Sequence, residues 1–174
     1  NFAIIRVGYR GSSSGALVQD PYFKKNISGA TKAGIKVGLY FFTQAVNEAE
    51  AVEEASMAMS LASGYKVTYP IFIDTESASN GRANGLSKSA RTAVVKAFCQ
   101  TVRNGGYKAG VYASKSWYAN QLNASALNGY CIWVAQYNSS CTYSGKYDMW
   151  QYSSKGSVSG IKGNVDMNIS YTGY

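Results

Sequence analysis

Apolar positions fall along this chain in short runs separated by polar, glycine-marked breaks. Phe2-Ala3-Ile4-Ile5-Arg6-Val7-Gly8-Tyr9 is rich in β-branched and aromatic residues, which predicts a strand over 2–9 and a Gly/Ser-rich loop over 10–15. Asp20-Pro21 reads as a helix cap followed by proline at the first helical position, with the helix running to about 33 and stopped by Gly34. A strand over 35–42 ends in Tyr40-Phe41-Phe42. Asn47 caps a second helix over 48–63, closed by Gly64. The strand 69–76 follows, then a polar loop over 77–85. Ser87 opens a third helix to about 104, ended by Gly105-Gly106. A strand over 108–113, a short helix over 116–122 and a strand over 130–136 come next. The loop 138–146 leads to final strands over 147–152 and 164–168, with no long helix between them.

Strands and helices alternating at about 30 residues predict βαβ units and a parallel sheet. No Gly-x-Gly-x-x-Gly joins an early strand to a helix, so a nucleotide crevice is unsupported. The fold class expected is α/β, an irregular (β/α) TIM-like barrel. Its chemistry would lie at the C-terminal ends of the strands. Aromatic and polar residues gather there: Tyr40, Phe42, Asp74, Glu76, Tyr112, Trp133, Gln136, Trp150, Gln151 and Asp166. About seven strands are predicted where a full barrel has eight.

Tyr69-Pro70-Ile71-Phe72-Ile73-Asp74-Thr75-Glu76 is the stretch with the most chemistry in it. On an extended chain, residues two apart share a face, with Cα atoms roughly 6–7 Å apart. Asp74 and Glu76 then project together and Thr75 points away. A carboxylate pair suits glycoside hydrolysis, in which one group protonates the leaving oxygen and another stabilises the charge growing on the sugar. Acidic residues also simply end strands, so the pair alone decides nothing.

Composition narrows the choice. The 174 residues are 46% apolar and 15% charged, which fits one folded domain over 1–174 with a sizeable core. No apolar run is long enough to cross a membrane as a helix. The formal charge of +8 favours polyanionic partners, yet the 17 Lys and Arg are scattered, unlike a nucleic-acid footprint. Fifteen tyrosines and three tryptophans suit stacking on sugars as well as core packing. Histidine is absent, which excludes Ser-His-Asp and Cys-His catalysis and any His-ligated metal. Cys99, Cys131 and Cys141 are too few and too spread for a zinc cluster, and no cofactor or metal is expected. Cys131 and Cys141 either pair as a disulfide or stay free, whereas Cys99 reads as a small core residue.

The nine acidic residues can be sorted. Glu48, Glu50, Glu53 and Glu54 fall in the first turns of one helix, where carboxylates complement its dipole. Asp20 reads as a cap and Asp148 as one half of a strand-edge salt bridge. Asp74, Glu76 and Asp166 remain, all at strand tips. With no other strong general acid present, a glycosidase is the leading chemistry.

The chain resembles the glycoside hydrolase family 25 lysozymes, the N-acetylmuramidases of bacteria and their phages. The resemblance rests on Phe2–Tyr9, Gly38-Leu39-Tyr40-Phe41-Phe42, Pro70–Glu76, Gly110-Val111-Tyr112-Ala113-Ser114, Ile132-Trp133-Val134-Ala135-Gln136-Tyr137, Met149-Trp150-Gln151-Tyr152 and Gly163-Asn164-Val165-Asp166-Met167-Asn168. It implies hydrolysis of the β-1,4 bond between N-acetylmuramic acid and N-acetylglucosamine in peptidoglycan, the partner expected. It assigns Glu76 as general acid, Asp74 as the carboxylate assisting the substrate's own acetamido group, and Asp166 as a further acidic residue of the cleft. Arg6, Tyr40, Phe42, Tyr112, Trp133, Gln136, Trp150 and Gln151 are the candidate substrate-binding residues. Family members begin with a further strand ahead of the matching stretch, so three alternatives stand: a missing N-terminal segment (a truncated chain), a second chain that completes the barrel, or an open barrel. The expected location is the cell wall or extracellular space, by secretion or phage release, though no signal peptide is present. Nucleic-acid binding and membrane insertion are not expected. Two other readings compete: a non-catalytic wall-saccharide-binding module, and a chitinase-like hydrolase.

Overall fold

The computed structural model describes residues 1–174. The elements in chain order are β1 (Phe2–Arg10), β2 (Leu17–Gln19), α1 (Phe23–Lys32), β3 (Lys36–Phe42), α2 (Glu48–Ala62), β4 (Val67–Asp74), α3 (Lys88–Asn104), β5 (Ala109–Ser114), α4 (Lys115–Gln121), a 3-10 turn (Ala124–Leu127), β6 (Cys131–Ala135), β7 (Met149–Gly156) and β8 (Val165–Ser170). All strands form one curled sheet in the order β2-β1-β3-β4-β5-β6-β7-β8. β1, β3, β4, β5, β6 and β7 run parallel, and β2 and β8 pair antiparallel at the two edges. The sheet is an open half-barrel, because β2 and β8 do not meet.

The strand beyond the seven expected is β2. β2 lies in the segment expected to lead into a helix, and it doubles back on β1 through Gly8–Gln19 and Arg10–Leu17 pairing. That return delays α1, which starts at Phe23 with Tyr22 at its cap position and no side-chain cap. Asp20 is therefore not the helix cap. Its Oδ1 accepts the Tyr22 N–H at 2.8 Å and its Oδ2 accepts from Arg6. The other caps are where the polar pattern placed them. Asn47 accepts the Glu50 N–H at 2.9 Å, and Ser87 accepts the Ala90 N–H at 3.1 Å.

Strand alternation divides the core in two. Ile5, Val7, Leu39, Phe41, Ile71, Ile73, Val111, Ile132 and Val134 face the helices, each almost wholly buried. Ala51, Ala55, Ala58 and Ala62 form the buried stripe of α2, small enough to bring that helix close to the sheet and α3. Each large aliphatic side chain so buried contributes about 1.5–3 kcal/mol. The concave side holds a smaller cluster of Tyr69, Phe72, Cys131, Trp133 and Met149. Gly110 makes it possible: a Cβ there would lie 2.3 Å from the Phe72 ring. Phe72 meets Trp133 edge to face at 5.1 Å, and together they floor the half-barrel.

Glu48 and Glu50 lie in the first turn of α2, as the dipole expectation has it, but Glu50, Glu53 and Glu54 also pair with arginines. Glu54 is fully buried and receives Arg10 Nε at 2.9 Å, while Arg10 Nη2 reaches Glu53. Glu50 holds Arg82 through two bonds of 2.7 and 2.9 Å. These pairs tie β1, α2 and the loop after β4 together at the rim of the sheet. Cys99, Cys131 and Cys141 are all free thiols, Cys131 on the concave side and Cys141 in the loop between β6 and β7.

Candidate active site

Parallel pairing sets the site. Asp74, the last residue of β4, lies level with Phe42 on β3 and Tyr112 on β5. Tyr112 is level with Trp133, and Gln151 on β7 with Asn168 on β8. β8 runs antiparallel to β7, so its early residue Asp166 reaches the edge where β4 ends. The sheet thus gathers Arg6, Tyr40, Phe42, Asp74, Glu76, Tyr112, Gln151 and Asp166 around one concave mouth.

Asp74 is buried, and its Oδ1 has no hydrogen-bond partner. Burial raises its pKa well above the usual carboxylate range; Glu76 and Asp166 add to the rise and Arg6 opposes it. Thr75 points the other way, its hydroxyl accepting the Trp117 indole N–H at 3.3 Å on the helix side. Glu76 lies just past the strand, exposed at the mouth. Partial desolvation and the nearby charge of Asp166 raise its pKa. Asp166 is exposed too and is raised by desolvation. The three carboxylates therefore resist losing all their protons together. Their proximity is written into the tyrosines as well: burial and Asp74 push Tyr40 up to about 12, and burial and Asp74 raise Tyr112.

The candidates divide by strand face. Gln151 is 3% exposed, and its Oε1 accepts the hydroxyls of both Tyr112 (2.8 Å) and Tyr137 (2.9 Å). Trp133 is only 5% exposed, with its ring edge-to-face on Tyr112 at 4.5 Å. It builds the floor and offers little face to a ligand. Trp150 and Gln136 stand apart from the group. Trp150 packs in the helix-side core and donates its indole N–H to the Gln136 carbonyl at 2.9 Å. Gln136 spends its amide on Thr142 in the following loop. The physical reason is the two-residue strand period: if Gln151 and Trp133 face inward, Trp150 and Gln136 face outward. Arg6 faces the mouth but is paired to Asp20, so Asp20 belongs to the site's surroundings.

Two residues at the mouth escape a reading by composition. Tyr137, 59% exposed, continues the inward parity of Trp133 past the end of β6. Asn168 accepts the Trp133 indole N–H at 2.9 Å and fixes that ring. Parity was the available signal for both. Asp148, read as a salt-bridge residue, pairs with Lys146 at 3.3 Å and accepts the Ile132 N–H at 2.9 Å, away from the mouth.

Carboxylates and tyrosines lining the C-terminal edge of a curled parallel sheet make the kind of cleft a glycoside hydrolase uses. The comparisons give the family: the model of glycosyl hydrolases family 25 matches residues 5–161, and the chain belongs to that family. It is similar to the autolytic lysozyme of Clostridium acetobutylicum, 28% identical over 165 residues that cover 94% of this chain and 48% of that protein. Among solved structures, a family 25 glycosyl hydrolase from Bacillus anthracis aligns with a TM-score of 0.80 at 26% identity, over 99% of this chain and 78% of that one. The modular autolysin LytC from Streptococcus pneumoniae, solved in complex with a synthetic peptidoglycan ligand, aligns with a TM-score of 0.80 at 27% identity, over 95% of this chain and 39% of that one. The chain spans about half the length of the curated relatives it matches, 48% and 56% for the first two.

Proposed function

We propose that this chain cleaves the β-1,4 bond between N-acetylmuramic acid and N-acetylglucosamine in bacterial peptidoglycan, acting at the cell wall. The observation that carries the reading is the pair at the end of β4: a buried Asp74 with an unpartnered Oδ1 beside an exposed Glu76 of raised pKa. Membership of family 25, the autolytic lysozyme relative and the peptidoglycan ligand of the LytC structure support the substrate.

Glu76, protonated, gives its proton to the glycosidic oxygen as the C–O bond breaks. The substrate's acetamido carbonyl oxygen closes on the anomeric carbon, as in substrate-assisted glycosidases. Asp74 Oδ1 accepts the acetamido N–H, which orients that group and stabilises the positive charge it acquires. Water then opens the cyclic intermediate, losing a proton to the Glu76 carboxylate. Asp166 keeps Glu76 protonated by its charge. Tyr40, Phe42, Tyr112 and Tyr137 are the side chains placed to touch the sugars, and Gln151 orients two of them. The net charge of +8 favours the anionic lactyl groups of muramic acid over a neutral chitin chain.

The test is release of reducing ends from purified peptidoglycan, with product masses, for wild type beside Glu76→Gln. Muramic-acid reducing ends from wild type alone are expected. Near-wild-type release by a folded Glu76→Gln variant would remove Glu76 from the mechanism. Saccharide binding without any release by the wild type would replace hydrolysis with a binding role.

A further inference from the structure

At the opposite end of the strands from Asp74, a hollow of about 350 Å³ opens where β5 and β6 begin. Arg103, Lys108 and Lys146 line it, against one carboxylate, Asp148. Asp148 is already engaged, with Lys146 at 3.3 Å and the Ile132 N–H at 2.9 Å. Lys146 also donates to the Asn128 and Tyr130 carbonyls at 3.0 and 3.2 Å. Arg103 and Lys108 pair with no carboxylate anywhere in the structure. Instead each lies over a ring: Arg103 over Tyr130 and Lys108 over Tyr174, both at 4.4 Å. Arg103 also donates to the Gly129 carbonyl and Lys108 to the Thr68 carbonyl. Two cations are thus held in place by aromatic faces and carbonyls, neither of which cancels their charge.

We propose that this hollow binds a phosphodiester carried on a sugar or polyol chain. A guanidinium held flat on a ring keeps N–H donors at its edge for anionic oxygens. A phosphodiester has two anionic oxygens pointing in different directions, so cations from α3 and from the residue just before β5 can each take one. A carboxylate's two oxygens lie in one plane, a geometry that suits one bidentate guanidinium better than two cations from different elements. The volume exceeds that of a bare phosphate and falls at the small end of ligand pockets, which leaves room for the flanking polyol carbons and hydroxyls. The exposed apolar residues Val158 and Ile161, which a lipid surface would engage, lie outside the hollow. This site is separate from the carboxylate mouth, and its test needs no catalysis.

The experiment is an amide NMR titration of the full chain with glycerophosphoglycerol, a soluble phosphodiester, beside glycerol, inorganic phosphate and phosphatidylglycerol vesicles. Saturable shifts at Arg103, Lys108 and Tyr130 are expected with the diester and not with glycerol. Arg103→Gln/Lys108→Gln is expected to weaken binding by at least about tenfold, since each loses a charge-assisted bond. Lys24→Gln/Lys25→Gln removes the same charge from exposed positions on α1 and is expected to change binding by less than about twofold. Arg103 and Lys108 are both exposed, so the variants should keep the wild-type melting temperature, and Lys108→Gln alone serves if the double variant does not. Equal weakening by both double variants would reduce the effect to net charge and overturn the site. So would absence of saturation, inorganic phosphate binding as tightly as the diester, or binding to vesicles alone.

Discussion

Replacing Arg10 by alanine should be among the most damaging single changes in this protein, and its cost should depend on pH. Arg10 is 4% exposed and donates to Glu54 (2.9 Å), Glu53 (2.9 Å), the Glu50 carbonyl (2.9 Å) and the Gly15 carbonyl (2.8 Å). Glu54, wholly buried, would lose its only cation. Breaking a buried pair by removing one partner costs about 3–5 kcal/mol, against a total stability of about 5–15 kcal/mol. For a domain of this size that lowers the melting temperature by roughly 6–20 °C.

The pH dependence follows from Glu54. Burial pushes its pKa up to about 7, although hydrogen bonds from Thr43 and Arg10 pull it back down. A carboxyl raised in the folded state binds more protons folded than unfolded, so its contribution to stability falls as pH rises from the unfolded value towards the folded one. Without Arg10 the folded value rises further. The variant should therefore lose more stability, relative to wild type, at pH 8 than at pH 5. Urea unfolding at both pH values measures this. Adding Glu54→Gln to Arg10→Ala removes the stranded charge and should recover more than half of the loss at pH 8. A loss below about 1 kcal/mol at pH 8, or one equal at both pH values, would refute the reasoning.

If Glu76 is the general acid, as proposed, the alkaline limb of activity on peptidoglycan should fall above the ordinary glutamate range, because desolvation and Asp166 raise it; Asp166→Asn should move that limb to lower pH in a kcat profile. Asp74→Asn should lower kcat by orders of magnitude with little change in melting temperature, and an unchanged rate would take Asp74 out of the chemistry. Gly110→Ala drives a Cβ into the Phe72 ring and should destabilise by about 1–3 kcal/mol in urea, with Trp133 fluorescence altered. Intact mass should be the same with and without reductant. Alkylation should reach Cys141 before Cys131, whose pKa burial lifts to about 11.

The period-two and period-3.6 patterns, the caps at Asn47 and Ser87 and the Asp74-x-Glu76 spacing are local properties, and local sterics and hydrogen bonding fix them without reference to the rest of the chain. They sufficed for a parallel α/β sheet and for the pair at the end of β4. The same period already separates Gln151 from Trp150 and Trp133 from Gln136. Chemical type alone does not, because tryptophan and glutamine are equally at home in a cleft or a core. What lay beyond the sequence depends on partners distant along it. Asp20 gave up its cap role because β2 folds back on β1 and brings Arg6 to it. Glu54 became a buried ion rather than a helix-end charge because Arg10, 44 residues earlier, enters the same cavity. Asp166 reached the carboxylate mouth only because β8 reverses direction against β7. A residue's own segment determines its backbone and the face it occupies. Its charge state and partners are set by whichever elements pack against that face, and only the tertiary structure decides those.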